Sequence, residues 1–121
     1  MAAVRYLVTD VKMALEFYVN ELGFSLKQQF GPAMAIVEKD GLTLWLAGQS
    51  SSAAQAMPDG RQPAPGGWNR IVLTVEDLPG LVKKLSANKV TFRNEIVKGP
   101  GGSQILCEDP SGNVVELFQP A

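Results

Sequence analysis

Apolar and polar residues alternate most clearly near the C-terminus, in residues 109–118. A turn sequence, Asp-Pro-Ser-Gly-Asn, leads there into the run Val-Val-Glu-Leu-Phe. Because successive side chains of a strand point to opposite faces, Glu116 shares a face with Val114 and Phe118. That face is otherwise apolar. It either lines a cavity or is the solvated side of an edge strand.

The first 47 residues predict the element order βαβββ. Residues 3–9 are rich in β-branched and aromatic side chains and indicate a strand, and Asp10 follows in the position of a helix N-cap. Apolar side chains then recur at helical spacing until Gly23, which ends the predicted helix. Glycine-containing turns separate the three strands that complete the module, at residues 24–30, 34–39 and 42–47.

Residues 48–67 break this pattern with small polar side chains, prolines and glycines, which predict a surface linker. A linker of this length either connects two modules or covers a site as a lid. The pattern then starts again with a strand at residues 68–75 and a second N-cap at Asp77. The strands predicted after the second helix are residues 90–98, 103–108 and 113–119.

Two offsets align the halves of the chain. Adding 67 places residues 4–10 over residues 71–77, and adding 71 places Trp45 over Glu116. Such a period indicates duplication of a module. We therefore predict one α+β domain of residues 1–121, built from βαβββ modules at residues 1–47 and 68–121. The modules are expected to share a curved mixed sheet, with helices on its convex face and a cavity on its concave face.

Composition excludes several functions. Eleven basic and twelve acidic residues give a net charge of −1, so no strong field draws the chain to nucleic acid or to an anionic membrane. No apolar run approaches the roughly 20 residues that span a bilayer, and no signal-peptide pattern precedes the first strand, so we expect a cytoplasmic protein. Without histidine there is no Ser–His or Cys–His pair and no imidazole metal ligand. The single cysteine, Cys107, is expected to be a packed structural thiol.

Several stretches carry a resemblance to the vicinal oxygen chelate superfamily: residues 5–10, 17–18, 22–24, 71–77 and 109–117. That superfamily includes glyoxalase I, bleomycin resistance proteins, fosfomycin resistance enzymes, extradiol dioxygenases and methylmalonyl-CoA epimerase. The resemblance implies the glyoxalase/bleomycin resistance-like fold and a homodimer. It does not decide the function, because the superfamily contains both enzymes and pure binding proteins.

The resemblance also implies four cavity-facing positions, which hold the metal in metal-dependent members. They fall here on Ala3, Trp45, Arg70 and Glu116. Only Glu116 has the chemistry of a ligand, and a transition metal needs three or four donors, so no metal cofactor is expected. If the positions converge, Arg70 pairs with Glu116, because burial of either charge alone is costly. The remaining Arg70 donors would then bind oxygen atoms of a ligand. Alternatively, the pair merely closes a polar gap in the sheet.

Five further residues are candidate ligand contacts, and some of them have a plainer alternative. Trp45 is a cavity wall or a core residue, and Trp68 is an aromatic wall, a lid or a dimer contact. Arg5 adds positive charge at the cavity mouth or is solvated. Asn94 lies on a predicted strand whose inward face the sequence does not fix, and Gln104 offers an amide on a neighbouring strand.

Three functions are compatible with these features. The leading hypothesis is a small-molecule binding protein of the bleomycin-resistance kind, with a metal-free pocket for a planar or anionic ligand. The alternative is a metal-dependent enzyme, a glyoxalase-like lyase, isomerase or dioxygenase, in which Glu116 is a general base or the remnant of a divalent-metal site. A weaker third hypothesis is a non-catalytic subunit that binds a protein or peptide.

Overall fold

The computed structural model describes residues 1–121 and divides into two compact units, residues 1–66 and residues 67–121. Each unit contains one mixed sheet and at least one helix. None of the helices combines the length and the apolar character needed to cross a bilayer.

The first unit has the sheet order β1-β4-β3-β2, in which β1 and β4 are parallel and the other pairs are antiparallel. A 3-10 helix, Ser52–Ala54, lies within the predicted linker. The other elements of the first unit are β1 (Val4–Leu7), α1 (Val11–Leu15), a π-helix (Glu16–Glu21), β2 (Ser25–Phe30), β3 (Met34–Lys39) and β4 (Leu42–Ala47).

The first helix begins as predicted but ends differently. The Asp10 carboxylate accepts a hydrogen bond from the Met13 N–H at 3.0 Å and so caps α1. Its continuation is a π-helix instead of an α-helix, with the Leu22 N–H donating to the Phe17 carbonyl. Two adjacent rings of this helix, Phe17 and Tyr18, are buried in the core, where they meet edge to face with centroids 5.0 Å apart.

The second unit has the sheet order β5-β9-β8-β6, and β7 also pairs with β8. Strands β5 and β9 are parallel, and the other pairs are antiparallel. The elements of this unit are β5 (Ile71–Thr74), α2 (Leu78–Ala87), β6 (Thr91–Phe92), β7 (Val97–Gly99), β8 (Gly102–Glu108) and β9 (Val114–Pro120).

The prediction of one continuous strand at residues 90–98 is wrong, because this segment forms two separate strands, β6 and β7. The break has a visible cause. Asn94 Oδ1 accepts a hydrogen bond from the Leu106 N–H at 3.0 Å, so a side chain replaces a backbone partner of β8. Strands β7 and β8 form an antiparallel hairpin, with Gly99 opposite Gly102.

The two modules have equivalent strand pairing. Val4 lies opposite Leu44 in the first unit, and Ile71 lies opposite Val115 in the second. These pairs are related by the offsets of 67 and 71 that align the sequences. The duplication and the α+β class are therefore present, with the strands organised as two hydrogen-bonded sheets, one in each module.

The C-terminal strand of each module separates the core from the candidate site. Leu44 and Leu46 of β4, like Val115 and Leu117 of β9, are fully buried. Alternation directs the intervening side chain of each strand to the opposite face of its sheet. That side chain is Trp45 in the first unit and Glu116 in the second.

Candidate functional site

An ion pair between Arg70 and Glu116 is the centre of the site in the second unit. Arg70 precedes β5, and Glu116 lies in the middle of β9. The Arg70 Nε donates to Glu116 Oε1 at 3.0 Å, and Nη2 lies 3.0 Å from the same oxygen. The Glu116 side chain is 11% exposed and that of Arg70 is 30% exposed. The carboxylate is therefore nearly buried and is neutralised by a guanidinium that reaches solvent.

The Arg70 contacts use only one carboxylate oxygen. Glu116 Oε2 receives no hydrogen bond from the protein, and it is not sealed from solvent. Arg70 Nη1 makes one long contact, 3.4 Å to the Trp68 carbonyl. The pair thus presents both an unused acceptor and unused donors.

Apolar side chains surround the Glu116 carboxylate on its face of the sheet. Val72 and Leu106 lie opposite Glu116 on the neighbouring strands β5 and β8, and Val114 and Phe118 lie two residues away on β9. We call the side of the sheet formed by these five residues the Glu116 face. Val72 is 52% exposed, so the face is open to solvent next to the ion pair.

The turn before β9 fixes the start of that strand. The buried Asp109 carboxylate accepts hydrogen bonds from the Ser111 N–H, the Asn113 N–H and the Asn113 side-chain amide, at 2.8–3.0 Å. Such side-chain acceptance of backbone N–H groups holds a tight turn. The Asp-Pro-Ser-Gly-Asn sequence therefore positions β9, and with it Glu116.

Arg93 has a role that the sequence did not indicate. Its guanidinium donates to Glu108 Oε2 at 2.7 Å, to the Gly67 carbonyl at 2.8 Å and to the Gly112 carbonyl at 3.0 Å. It also lies over the Trp68 ring, 4.5 Å from the centroid. These contacts tie the segment before β5 to the turn before β9, the two segments that lead to Arg70 and Glu116.

Trp68 is held in place although its side chain is exposed. The residue is 68% exposed, yet the Arg93 guanidinium stacks on its ring and Arg70 approaches its carbonyl. The role expected for Trp68, as an aromatic wall, lid or dimer contact, stays a prediction.

In the first unit, Arg5 and Trp45 lie opposite each other on β1 and β4. The Arg5 guanidinium lies over the Trp45 ring, 4.9 Å from its centroid. With Ala3, they line a cleft of about 260 Å³. The Trp45 indole N–H is buried and has no hydrogen-bond partner. Each module therefore places an arginine next to the central residue of its last strand.

Asn94 and Gln104 differ in what they offer a ligand. The Asn94 oxygen is already bonded to the Leu106 N–H. Gln104 lies opposite Phe118, on the same side of the sheet as Glu116, and its side-chain amide makes no hydrogen bond to the protein. Both remain predicted ligand contacts, and Gln104 has the amide that is free to make one.

The residues at the metal positions of the family do not fit a metal ion. No group of three or more His, Cys, Asp or Glu side chains is placed to hold one. Ala3, Trp45 and Arg70 supply no ligand atoms, and the Glu116 carboxylate is held by Arg70. A lone carboxylate next to a guanidinium is not a divalent-metal site.

Cys107 is a buried free thiol on β8. Burial raises the pKa of Cys107 to about 12, with a smaller contribution from the Asp109 and Glu108 charges. Since the thiolate is the nucleophile, this thiol is unreactive at neutral pH.

Solved structures of similar fold cover nearly the whole chain. A member of the glyoxalase/bleomycin resistance protein/dioxygenase superfamily from Sphaerobacter thermophilus DSM 20745 is 29% identical, with a TM-score of 0.74 and coverage of 98% of this chain and 97% of that one. TnmS3, an antibiotic binding protein from Streptomyces sp. CB03234, is 26% identical, with a TM-score of 0.71 and coverage of 100% and 97%. Lactoylglutathione lyase from Agrobacterium tumefaciens is 18% identical, with a TM-score of 0.76 and coverage of 98% and 92%, and so shares the fold.

The sequence gives a family assignment of its own. No curated protein is significantly similar to the chain in sequence. The family model described as Glyoxalase/Bleomycin resistance protein/Dioxygenase superfamily, however, matches residues 1–117. Together with the duplicated βαβββ modules, this match identifies the chain as a member of the glyoxalase/bleomycin resistance protein/dioxygenase superfamily.

Proposed function

We propose that the protein binds a small molecule on the Glu116 face and that this binding requires no metal ion. The Arg70–Glu116 ion pair carries the proposal. A guanidinium, 3.0 Å from the carboxylate through two nitrogens, supplies the positive charge that a cation supplies in metal-dependent members. Because the guanidinium keeps unused N–H donors, it can also bind oxygen atoms of a ligand directly.

The surroundings of the pair favour a ligand with an apolar body. Val72, Leu106 and Phe118 lie around Glu116 on the same side of the sheet. Sites for small molecules commonly combine apolar walls with a few polar groups that orient the ligand. The similarity to an antibiotic binding protein, at 26% identity over the whole chain, supports a binding function.

Calorimetric titration of the protein with a panel of planar natural-product antibiotics, with and without EDTA, tests this function. We expect saturable binding that EDTA does not change, and mass spectrometry should recover the ligand unaltered. Metal-dependent turnover that EDTA abolishes would instead favour a lyase, isomerase or dioxygenase.

A pair of variants locates the binding. Arg70→Met should weaken the binding at least about tenfold, the factor that corresponds to loss of one charge-assisted hydrogen bond. Arg61→Met is the matched control, because Arg61 also forms an ion pair with an acid, Asp59 at 2.8 Å, but both side chains are exposed. Equal affinities of the two variants would place the ligand elsewhere.

The homodimer and the cytoplasmic location expected from the sequence stay proposals. Light scattering behind size-exclusion chromatography tests the first, and fractionation of cells that express the protein tests the second. A monomer at the concentrations used for binding would contradict the expected assembly.

A further inference from the structure

The unused atoms of the Arg70–Glu116 pair indicate which polar group a ligand must carry. Resting on the binding function proposed above, we infer that the Glu116 face selects a neutral group with a hydrogen-bond donor beside an acceptor, such as an amide, an imide or a hydroxy-carbonyl. A bare carboxylate or phosphate is disfavoured.

The acceptor in the protein is Glu116 Oε2. Both Arg70 nitrogens that approach the carboxylate contact Oε1, and no protein donor contacts Oε2. An ionised carboxylate oxygen only accepts hydrogen bonds, so a ligand group facing Oε2 must bring an N–H or O–H. A ligand carboxylate would meet this oxygen with two negative charges in contact.

The donors in the protein belong to Arg70. Its guanidinium has five N–H groups, one at Nε and two at each Nη. The Nε group and one group at Nη2 face Glu116. One group at Nη1 makes only the 3.4 Å contact with the Trp68 carbonyl. An oxygen of the ligand can accept from the remaining ones. A ligand cation would be repelled by the positive charge of this guanidinium.

The charges of the pair cancel, which removes the reason to prefer an ion. Glu116 is nearly buried, and its neighbours on that face, Val72, Leu106, Val114 and Phe118, are apolar. A charged ligand group would lose hydration there without gaining a net opposite charge. A neutral donor next to an acceptor satisfies both partners at a smaller desolvation cost.

Three probes of the same shape and size separate these possibilities: benzamide, which both donates and accepts, benzoate, which only accepts, and benzamidinium, which only donates. Each is titrated at millimolar concentration into the ¹⁵N-labelled full-length protein, and the amide signals of Val72 and Phe118 report binding at the Glu116 face. We expect benzamide to bind at least about tenfold more tightly than either ion, as one charge-assisted hydrogen bond corresponds to that factor.

The variant Glu116→Gln should reverse part of this preference. It is close in shape to the native side chain and supplies an N–H donor in place of the free carboxylate oxygen, so benzoate should gain at least about tenfold relative to benzamide. Binding of benzoate to the wild-type protein as tight as that of benzamide would overturn the inference while leaving small-molecule binding intact. If none of the probes moves the signals of the Glu116 face, the proposed binding function fails with it.

Discussion

Replacement of Arg70 by methionine tests whether the ion pair stabilises the second unit. Methionine keeps much of the apolar stem of the side chain and removes the charge, so Glu116 stays behind without its partner. Breaking a fully buried pair costs about 3–5 kcal/mol, and an exposed pair contributes about 0–1 kcal/mol. With Glu116 11% exposed and Arg70 30% exposed, we expect a loss of about 2 kcal/mol in the free energy of unfolding.

A double-mutant cycle assigns this loss to the pair. Glu116→Gln should cost about 1 kcal/mol, less than the loss of Arg70, because the guanidinium left behind reaches solvent. In the double variant, the neutral amide that replaces the carboxylate needs no counter-charge. The loss in stability of the double variant should therefore be smaller than the sum of the single losses by about 1 kcal/mol.

The assay is urea denaturation at pH 7, followed by tryptophan fluorescence and extrapolated to water. Arg61→Met provides the control, because its exposed pair with Asp59 should contribute less than about 0.5 kcal/mol. Strict additivity of the two single variants would refute the account, as would equal stability of Arg70→Met and Arg61→Met.

The remaining predictions concern the residues that support the site. Arg93→Lys should lower the free energy of unfolding by about 1–2 kcal/mol and change the fluorescence of Trp68. Lysine keeps the charge beside Glu108 but lacks the planar group that donates to two carbonyls. Unchanged emission would contradict this role of Arg93. Asp109→Ala should lower the free energy of unfolding, measured by urea denaturation, by about 2–3 kcal/mol, because N–H donors of the turn lose their acceptor. A loss smaller than that of an exposed Asp→Ala change, such as Asp59→Ala, would refute this role. For Cys107, the folded pKa of about 12 lies above the ordinary value of 9.0, so unfolding releases a proton and stability should fall as the pH rises from 9 to 12. Cys107→Val should lack this part of the alkaline loss, and parallel pH profiles of the two proteins would contradict the pKa.

Local signals explain why much of the fold was predictable. Asp10 and Asp77 cap helices in the structure, as their positions before apolar periodic runs predicted. The offsets of 67 and 71 anticipated the equivalent registers of the two parallel strand pairs. These features depend on residues close in sequence or on repetition of the same module, and both are visible without coordinates.

The pair at the site was predictable for a different reason. Arg70 and Glu116 are 46 residues apart in the sequence, and composition alone does not predict their contact. The resemblance placed both at family ligand positions, and the cost of burying a lone charge then favoured their contact. The prediction therefore needed a family pattern together with a physical rule.

Arg93 was missed because its partners are distant and its strand is interrupted. Glu108, Gly112 and Gly67 lie 15, 19 and 26 residues away. Alternation fixes the face of a side chain only within a continuous strand. The chain forms no strand between β6 and β7, so alternation does not place Arg93. The π-helix at Glu16–Glu21 was not predicted, because apolar residues at the spacing i, i+3 and i+4, as at Phe17 and Tyr18, fit an ordinary α-helix equally well.

Metal analysis of the protein tests the central claim most directly. Protein purified without an affinity tag is analysed for Zn, Ni, Fe and Mn, and its thermal unfolding is compared with and without EDTA and after addition of each ion. With Arg70 supplying the cation for Glu116, we expect far less than one bound metal per chain and the same midpoint in every condition. One equivalent of metal whose removal lowers the midpoint would contradict the account.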